Sequence, residues 1–375
     1  MSNKGKVLIT GGAGFIGSHT ADELERRGFE ISIFDNLSPK THFGHWPDWV
    51  KPSWNRIQGD VRNRSDLEKS LDGVTHVIHL AALMDLMPNY SDFFDTNVTS
   101  TALIYEIIVE KKLPIQKVLV ASSQFVYGEG IWKCAKDGDA RPKNRTVEQM
   151  ISGQFDPVCP ICSGSIEYQP QKETYQDPPN QYAISKYSQE LIALKLGRLN
   201  NIPSAAMRYS IVHGPRQSLK NAYSGALRIF TLKMLANQSP TIFEDGLSQR
   251  DYVSVFDVAR ANADVLESDK ANYENFNVGS GKSFTVIELA EIIARTIGID
   301  ANLTPCGEFR VGDNRHAVSD ISKIKNLVGW EPLMPEEEIV RQYVDWVRQQ
   351  KPDQDYLAQA EEQMKKAGVI RKSKI

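Results

Sequence analysis

Two rhythms of apolar and polar positions run through the first half of this chain. Short apolar runs recur at Lys6–Thr10, Glu30–Phe34, Arg56–Gln58, Thr75–Leu80 and Lys117–Ala121, the length and bounding expected of buried strands. Between them, Phe15–Arg27, Ser65–Leu71 and Asp92–Lys112 carry apolar residues at helical spacing. Strands that alternate with helices predict βαβ units, and so an α/β fold with a doubly wound, Rossmann-like parallel sheet.

The rhythm stops after the fifth strand. Residues 129–177 are rich in Gly, Pro, Lys and Asp with little periodicity, which predicts an insertion at the sheet's edge. Helical spacing returns at Gln181–Leu199, a strand at Ala205–Arg208, and further helices at Gly225–Ala236, Val255–Leu266 and Val286–Ile297. The pattern divides the chain into a main domain over 1–200, carrying the insertion, and a smaller C-terminal α/β lobe over 201–350 with some segments returning to the first sheet. Residues 351–375 read as a charged, solvated helix with a frayed basic end, Arg371-Lys372-Ser373-Lys374.

The first strand runs into Thr10-Gly11-Gly12-Ala13-Gly14-Phe15-Ile16-Gly17, and a helix follows at once. In that context Gly11, Gly14 and Gly17 allow a tight turn, close approach to a pyrophosphate and close helix packing, while the first turn, with Phe15 and Ile16, offers its N–H groups to phosphates. Asp35 ends the second strand about 20 residues later, followed by Asn36, where a carboxylate accepts ribose hydroxyls and repels a 2′-phosphate. The expected cofactor is therefore NAD rather than NADP. Two more strand ends, Gly59-Asp60-Val61 and His79-Leu80-Ala81-Ala82, reach the same edge, placing Asp60, Val61, Leu80, Ala81 and Ala82 along the dinucleotide.

Far downstream, Tyr182 and Lys186 are four residues apart in a helical stretch and share a face. A cation beside a phenol favours phenolate, which makes a base. Tyr182 is the predicted acid/base, with its pKa lowered by Lys186.

In combination, the glycine turn, Asp35, Val120-Ala121-Ser122-Ser123 and the Tyr182/Lys186 pair resemble the extended short-chain dehydrogenase/reductase family, and within it the nucleotide-sugar epimerases and dehydratases. The resemblance spans about residues 5–350. It implies Ser123, three residues before Val126-Tyr127-Gly128, as the catalytic hydroxyl, with Ser122 as the competing assignment. It also implies Lys186 on the nicotinamide ribose, Asn97 as support for the active-site helix, and Ser123, Gln124, Arg250 and Arg315 at the substrate. Either arginine could instead be a surface ion pair. The family's 4,6-dehydratases carry Asp-Glu after the Ser/Thr; here Gln124-Phe125 stand there, so a 4-epimerase is expected. Gln217 through Asn221-Ala222-Tyr223-Ser224-Gly225, Phe243-Glu244-Asp245-Gly246 and a Cys-Pro-x-Cys insertion are similar to a subgroup of dTDP-L-rhamnose 4-epimerases. In Arg208-Tyr209-Ser210-Ile211-Val212-His213-Gly214-Pro215-Arg216, Ile211 and His213 depart from the family's usual Asn and Tyr, and His213 is either packed or titrating. The resemblance further implies a homodimer built from the helices at Asp92–Lys112 and Gln181–Leu199. A reductase or dehydrogenase, a dehydratase and a non-catalytic NAD-sensing protein stand as rivals.

Charge and cysteines trim the picture. A net charge of -3 with 24% charged residues supplies no basic field, which argues against nucleic acid as the main partner. No apolar run is long enough to span a bilayer, and the chain enters a strand directly at MSNKGKVLIT, so a cytoplasmic protein away from membranes is expected. The four cysteines do not make a disulfide framework. Cys159-Pro160-Ile161-Cys162 has zinc-knuckle spacing, and Cys134 with Asp137 could complete an oxygen-containing zinc site; free thiols are the alternative.

Overall fold

The computed structural model describes residues 4–42, 44–84, 88–219, 225–350, 362, 365–366, 368 and 370–374. Five strands appear where the apolar runs lie: β1 (Lys6–Thr10), β2 (Glu30–Asp35), β3 (Asn55–Gln58), β4 (His76–His79) and β5 (Lys117–Ser123). With Ser204–Tyr209 and Glu274–Val278 they make one seven-stranded sheet, ordered Glu274–Val278, Ser204–Tyr209, β5, β4, β1, β2, β3. Every adjacent pair is parallel. The order reverses at β1, so the loops after β1 and β4 diverge and open a crevice at the strands' carboxyl ends.

Helices cover both faces, which is why the strands read as continuous apolar runs. Helix α1 (Phe15–Arg26) and the helix Val255–Glu267 share one face, over a core that includes Val7, Ile9, Ile33, Leu119 and Met207. Ser100–Lys111 and the helix beginning at Gln181 cover the other, over Leu8, Val77, Val118, Val120 and Ile104. A third core joins Ala226–Leu235, Val286–Ile297 and Glu336–Gln349 into the smaller lobe.

Two expectations change. The insertion does not lie along the sheet's edge. It forms its own antiparallel sheet, Gly138–Ala140, Trp132–Cys134 and Glu167–Tyr168, and docks on the C-terminal lobe. There the rings of Trp132, Tyr168 and His316 meet at 5.1–5.2 Å. Nor is the chain's end frayed: Ile370–Lys372 pairs antiparallel with Glu308–Arg310, and Lys374 N donates to Ile151 O at 2.9 Å. Burial of Ile370 supplies the apolar anchor that the charged run conceals. Most of 351–369 lies outside the described residues, as do Asn221–Ser224.

Candidate active site

The glycine turn closes as its spacing predicts. Gly11 has φ +66°, and a Cβ there would stand 2.8 Å from Ala81 N; at Gly17 it would stand 2.3 Å from Gly11 O. Gly14 caps α1 in an extended conformation, and among the described residues no side chain caps that helix. A Cβ on Gly14 would meet only Gly11 O within 4 Å, so the N–H groups around Phe15 and Ile16 face an open cradle suited to a pyrophosphate. Asp35 is buried beside it and accepts from Ala13 N at 3.2 Å and Leu37 N at 2.9 Å. Burial pushes its carboxyl up, against the pull of His42 and these N–H donors. Asn36 Nδ2 reaches Asp60 Oδ2 at 3.5 Å, and Val61 packs behind. Ala81 N donates to Thr10 Oγ1 at 3.3 Å, tying the β4 end to the β1 end. An open helix N-terminus, a buried carboxylate at the β2 end and small residues at Ala81 and Ala82 fit a dinucleotide.

Asn97 joins this edge to the helix beyond it. Its amide accepts from Leu83 N at 2.8 Å and donates to Leu83 O at 3.1 Å and Ser185 Oγ at 2.9 Å. It is fully buried.

The helix Gln181–Leu191 starts where Asn180 caps it, accepting from Ala183 N at 3.0 Å. It carries Tyr182 and Lys186 against the end of β5. The Ser123 hydroxyl lies close enough to the Tyr182 phenol to favour its ionised form, and it accepts from Phe125 N at 3.2 Å. Lys186 Nζ donates to Ala121 O at 3.1 Å and Gln189 Oε1 at 2.8 Å, and lies 6.0 Å from the centre of the Tyr182 ring. Ser122, on the opposite face of β5, donates to Glu190, which grips Arg208 through two bonds of 2.8 Å. The structure thus brings Ser123 to Tyr182 and turns Ser122 into the core.

The proton balance differs from the sequence expectation. Burial pushes the Tyr182 phenol up to about 12, against the pull of the neighbouring Ser123 hydroxyl, and pushes Lys186 down to about 7. Desolvation dominates both shifts and favours both neutral forms. Gln124 is buried with its Oε1 unpartnered among the described residues, and neither it nor Phe125, whose ring meets Tyr182 edge-on at 6.3 Å, can exchange a proton.

The two arginines part company. Arg250 lies 12% exposed, its fork held by the carbonyls of Gln249, Asn314 and Arg315 at 2.9–3.0 Å and by Asp313 Oδ1 at 3.4 Å. Arg315 is buried and saturated: Nε donates to Asp156 Oδ1 at 2.7 Å, Nη1 to Glu244 Oε2 at 2.9 Å and Asp245 Oδ1 at 2.7 Å, Nη2 to Asp245 Oδ2 at 2.7 Å. In this arrangement no face of Arg315 is left for a diphosphate. Its charge organises the wall behind Arg250. Although burial pushes the Asp245 carboxyl up, Arg315 holds it below the usual range. His213 is packed, stacked on Tyr252 with ring centres 4.7 Å apart.

Gln189, Glu190 and Trp49, whose Nε1 donates to Ala13 O at 2.9 Å, escaped the pattern reading. Gln189 and Glu190 stand three and four residues past Lys186, the one spacing that could have flagged them.

A parallel sheet with a dinucleotide cradle at its switch point and a Ser/Tyr/Lys set at the neighbouring strand end defines a short-chain dehydrogenase-type nucleotide-binding enzyme. Residues 7–279 match the model of the NAD dependent epimerase/dehydratase family, and the chain belongs to that family. It is 29% identical over 352 residues to dTDP-L-rhamnose 4-epimerase of Burkholderia thailandensis, covering 92% of this chain and 95% of that one. It is 33% identical over 352 residues to a putative UDP-glucose 4-epimerase of Methanocaldococcus jannaschii, covering 91% and 98%. The Thermus thermophilus UDP-glucose 4-epimerase, solved as a complex with NAD, superposes with a TM-score of 0.73 at 26% identity, covering 92% of this chain and all (100%) of that one. Among the described residues no helix is long and apolar enough to cross a membrane.

Proposed function

We propose that this protein is an NAD-dependent nucleotide-sugar 4-epimerase, acting through a transient 4-keto sugar. The observation that carries the reading is the Ser123–Tyr182–Lys186 arrangement beside the glycine turn, with Gln124 and Phe125 where a 4,6-dehydratase needs an acid and a base. When bound, NAD supplies the hydride acceptor, and then the donor, for sugar C4. Tyr182 takes the proton of the C4 hydroxyl and later returns it. The Ser123 hydroxyl donates to the C4 oxygen as negative charge develops there. Ionising Tyr182 creates an anion near Lys186, which then favours its charged form; the pair titrates together, so the cost that burial places on each charge falls when both are present.

Arg250 is the proposed diphosphate ligand, and Arg315 a positioning residue that holds the chain carrying those carbonyls. The similarity to a dTDP-L-rhamnose 4-epimerase supports a deoxyhexose nucleotide as the first substrate to try. A structural zinc ion held by the insertion's cysteines belongs to the same proposal and stands on separate contacts. A homodimer is proposed from the apolar residues left exposed on the two expected helices, Val109, Ile184, Leu191 and Leu199, and a cytoplasmic location accords with the reduced thiols. The test is to incubate the protein with a panel of dTDP- and UDP-sugars and follow C4 by NMR. Inversion without net change in cofactor absorbance is expected; no inversion with any sugar refutes the reading, and stoichiometric loss of NADH reassigns it to a reductase.

A further inference from the structure

The catalytic reading leaves one cluster unused. Cys134, Asp137, Cys159 and Cys162 each bring a ligand atom to one point, all within 4.8 Å of one another. Cys134 Sγ and Cys162 Sγ are 3.6 Å apart. Asp137 Oδ2 lies 3.4 Å from Cys134 Sγ and 3.2 Å from Cys159 Sγ. For zinc bound by sulfur and oxygen, tetrahedral geometry gives edges of ~3.8 Å between sulfurs and ~3.5 Å between sulfur and oxygen. The observed separations fall close to both.

The backbone is shaped for the same purpose. Cys134 ends its strand and Asp137 sits in the turn to Gly138–Ala140. Cys159 and Cys162 ride a tight knuckle in which Ser163 N donates to Cys159 O and Cys159 N to Gly164 O, both at 2.9 Å. Ser163 adopts φ +58° to close it.

We propose that these four residues bind one zinc ion, and that the ion clamps the insertion onto the wall carrying Arg250. Three thiolates and one carboxylate in a tetrahedron suit zinc rather than magnesium or calcium. On binding, the three thiols release their protons to solvent. All four positions are filled by protein, so the site is structural and leaves no position for a reacting water.

The clamp follows from what the ligand-bearing segments hold. Asp156, three residues before Cys159, grips Arg315 at 2.7 Å. Trp132, two residues before Cys134, packs on His316, with ring centres 5.1 Å apart. Between them Arg315 O accepts from Arg250 at 2.9 Å. Losing the ion frees both grips at once.

Protein purified without chelator after expression with added zinc is assayed for metal by mass spectrometry, and its thiols are counted. About one zinc per chain is expected, and exchange for cobalt(II) should give the sulfur-to-cobalt charge-transfer and visible bands of a tetrahedral thiolate site. Cys159→Ser and Asp137→Ala should lower retained metal at least about tenfold, while Cys306→Ser keeps it. Metal removal should raise KM for the sugar nucleotide more than it lowers kcat, with NAD content unchanged. Metal-free protein after zinc dialysis, a cobalt spectrum without tetrahedral bands, or a mass short by two hydrogens from a Cys134–Cys162 disulfide would each overturn the proposal. Should Cys159→Ser fail to fold, the wild-type cobalt spectrum and Asp137→Asn still decide. Metal content and spectra do not depend on turnover, so they are readable even if the epimerase reading fails.

Discussion

Lys186 donates to the carbonyl of Ala121 across 3.1 Å, and that bond ties the helix bearing the acid/base to the strand that ends in Ser123. Gln189 holds the same nitrogen at 2.8 Å and is itself held through Nε2 to Thr101 Oγ1, also at 2.8 Å. The lysine is thereby a spacer as well as a charge.

Burial of Lys186 has a thermodynamic signature. Its pKa is pushed down to about 7, whereas in the unfolded chain it is ~10.4. Between those values the folded protein binds fewer protons than the unfolded, so its stability rises with pH across that window. Ligand-free protein should melt higher at pH 9 than at pH 7, and Lys186→Met should flatten that rise, melt higher at pH 7 and lose epimerisation. An unchanged slope in the variant would show that the lysine is not the group responsible.

Ser122 and Ser123 separate by their failures. Ser123→Ala should lower kcat by ~10²-fold or more, and Tyr182→Phe by ~10²–10⁴-fold, with melting temperature and NAD content near wild type. Ser122→Ala should instead cost ~1–3 kcal/mol of stability by removing a partner of Glu190, with kcat retained. Steady-state kinetics beside thermal melts read both.

Arg315→Ala and Arg250→Ala should also diverge. The first leaves Asp245 without its cation and Glu244 with Arg145 alone, so it should lower the melting temperature by opening a buried charge network. The second removes a largely buried fork and should raise KM about tenfold, as losing a charge-assisted bond to a diphosphate would, with a smaller change in melting than the first. A purely kinetic effect of Arg315→Ala would return it to the role of a direct diphosphate ligand.

Removing Asn97 should loosen the cofactor edge. Asn97→Leu leaves Leu83 N and O and Ser185 Oγ without their shared partner, at ~1–3 kcal/mol for each buried group that finds no substitute. Weaker NAD binding with a lower melting temperature is expected by calorimetry and thermal melts; NAD affinity equal to wild type would detach Asn97 from the site.

If the exposed apolar residues on the helices form an interface, charge there should split it. Ile184→Glu with Leu191→Glu should halve the mass seen by sedimentation at micromolar protein. Wild-type protein that already sediments as a monomer would remove the dimer from the reading.

Much of this protein was legible along the chain because the signals are local. Continuous apolar runs mark strands covered on both faces and period-3.6 spacing marks helices, so the two in alternation announced β1–β5 and the helices between them. The glycine turn needs no distant partner to be recognised, and Tyr182 and Lys186 share a face wherever their helix lies. What only the tertiary structure decided depended on groups far apart in sequence. Which serine is left for the phenol was decided by Glu190 and Arg208, which take up the Ser122 hydroxyl. Arg315 is saturated because Asp156 and Asp245 come to it from two other segments, and the basic end becomes a strand because Glu308–Arg310 offers an open edge. Four ligands spread over 28 residues (Cys134 to Cys162) became one cluster by folding of the insertion. The proton balance of Tyr182 and Lys186 was beyond the sequence for the same reason: burial is a property of the packed chain, and here it favours the neutral form of each.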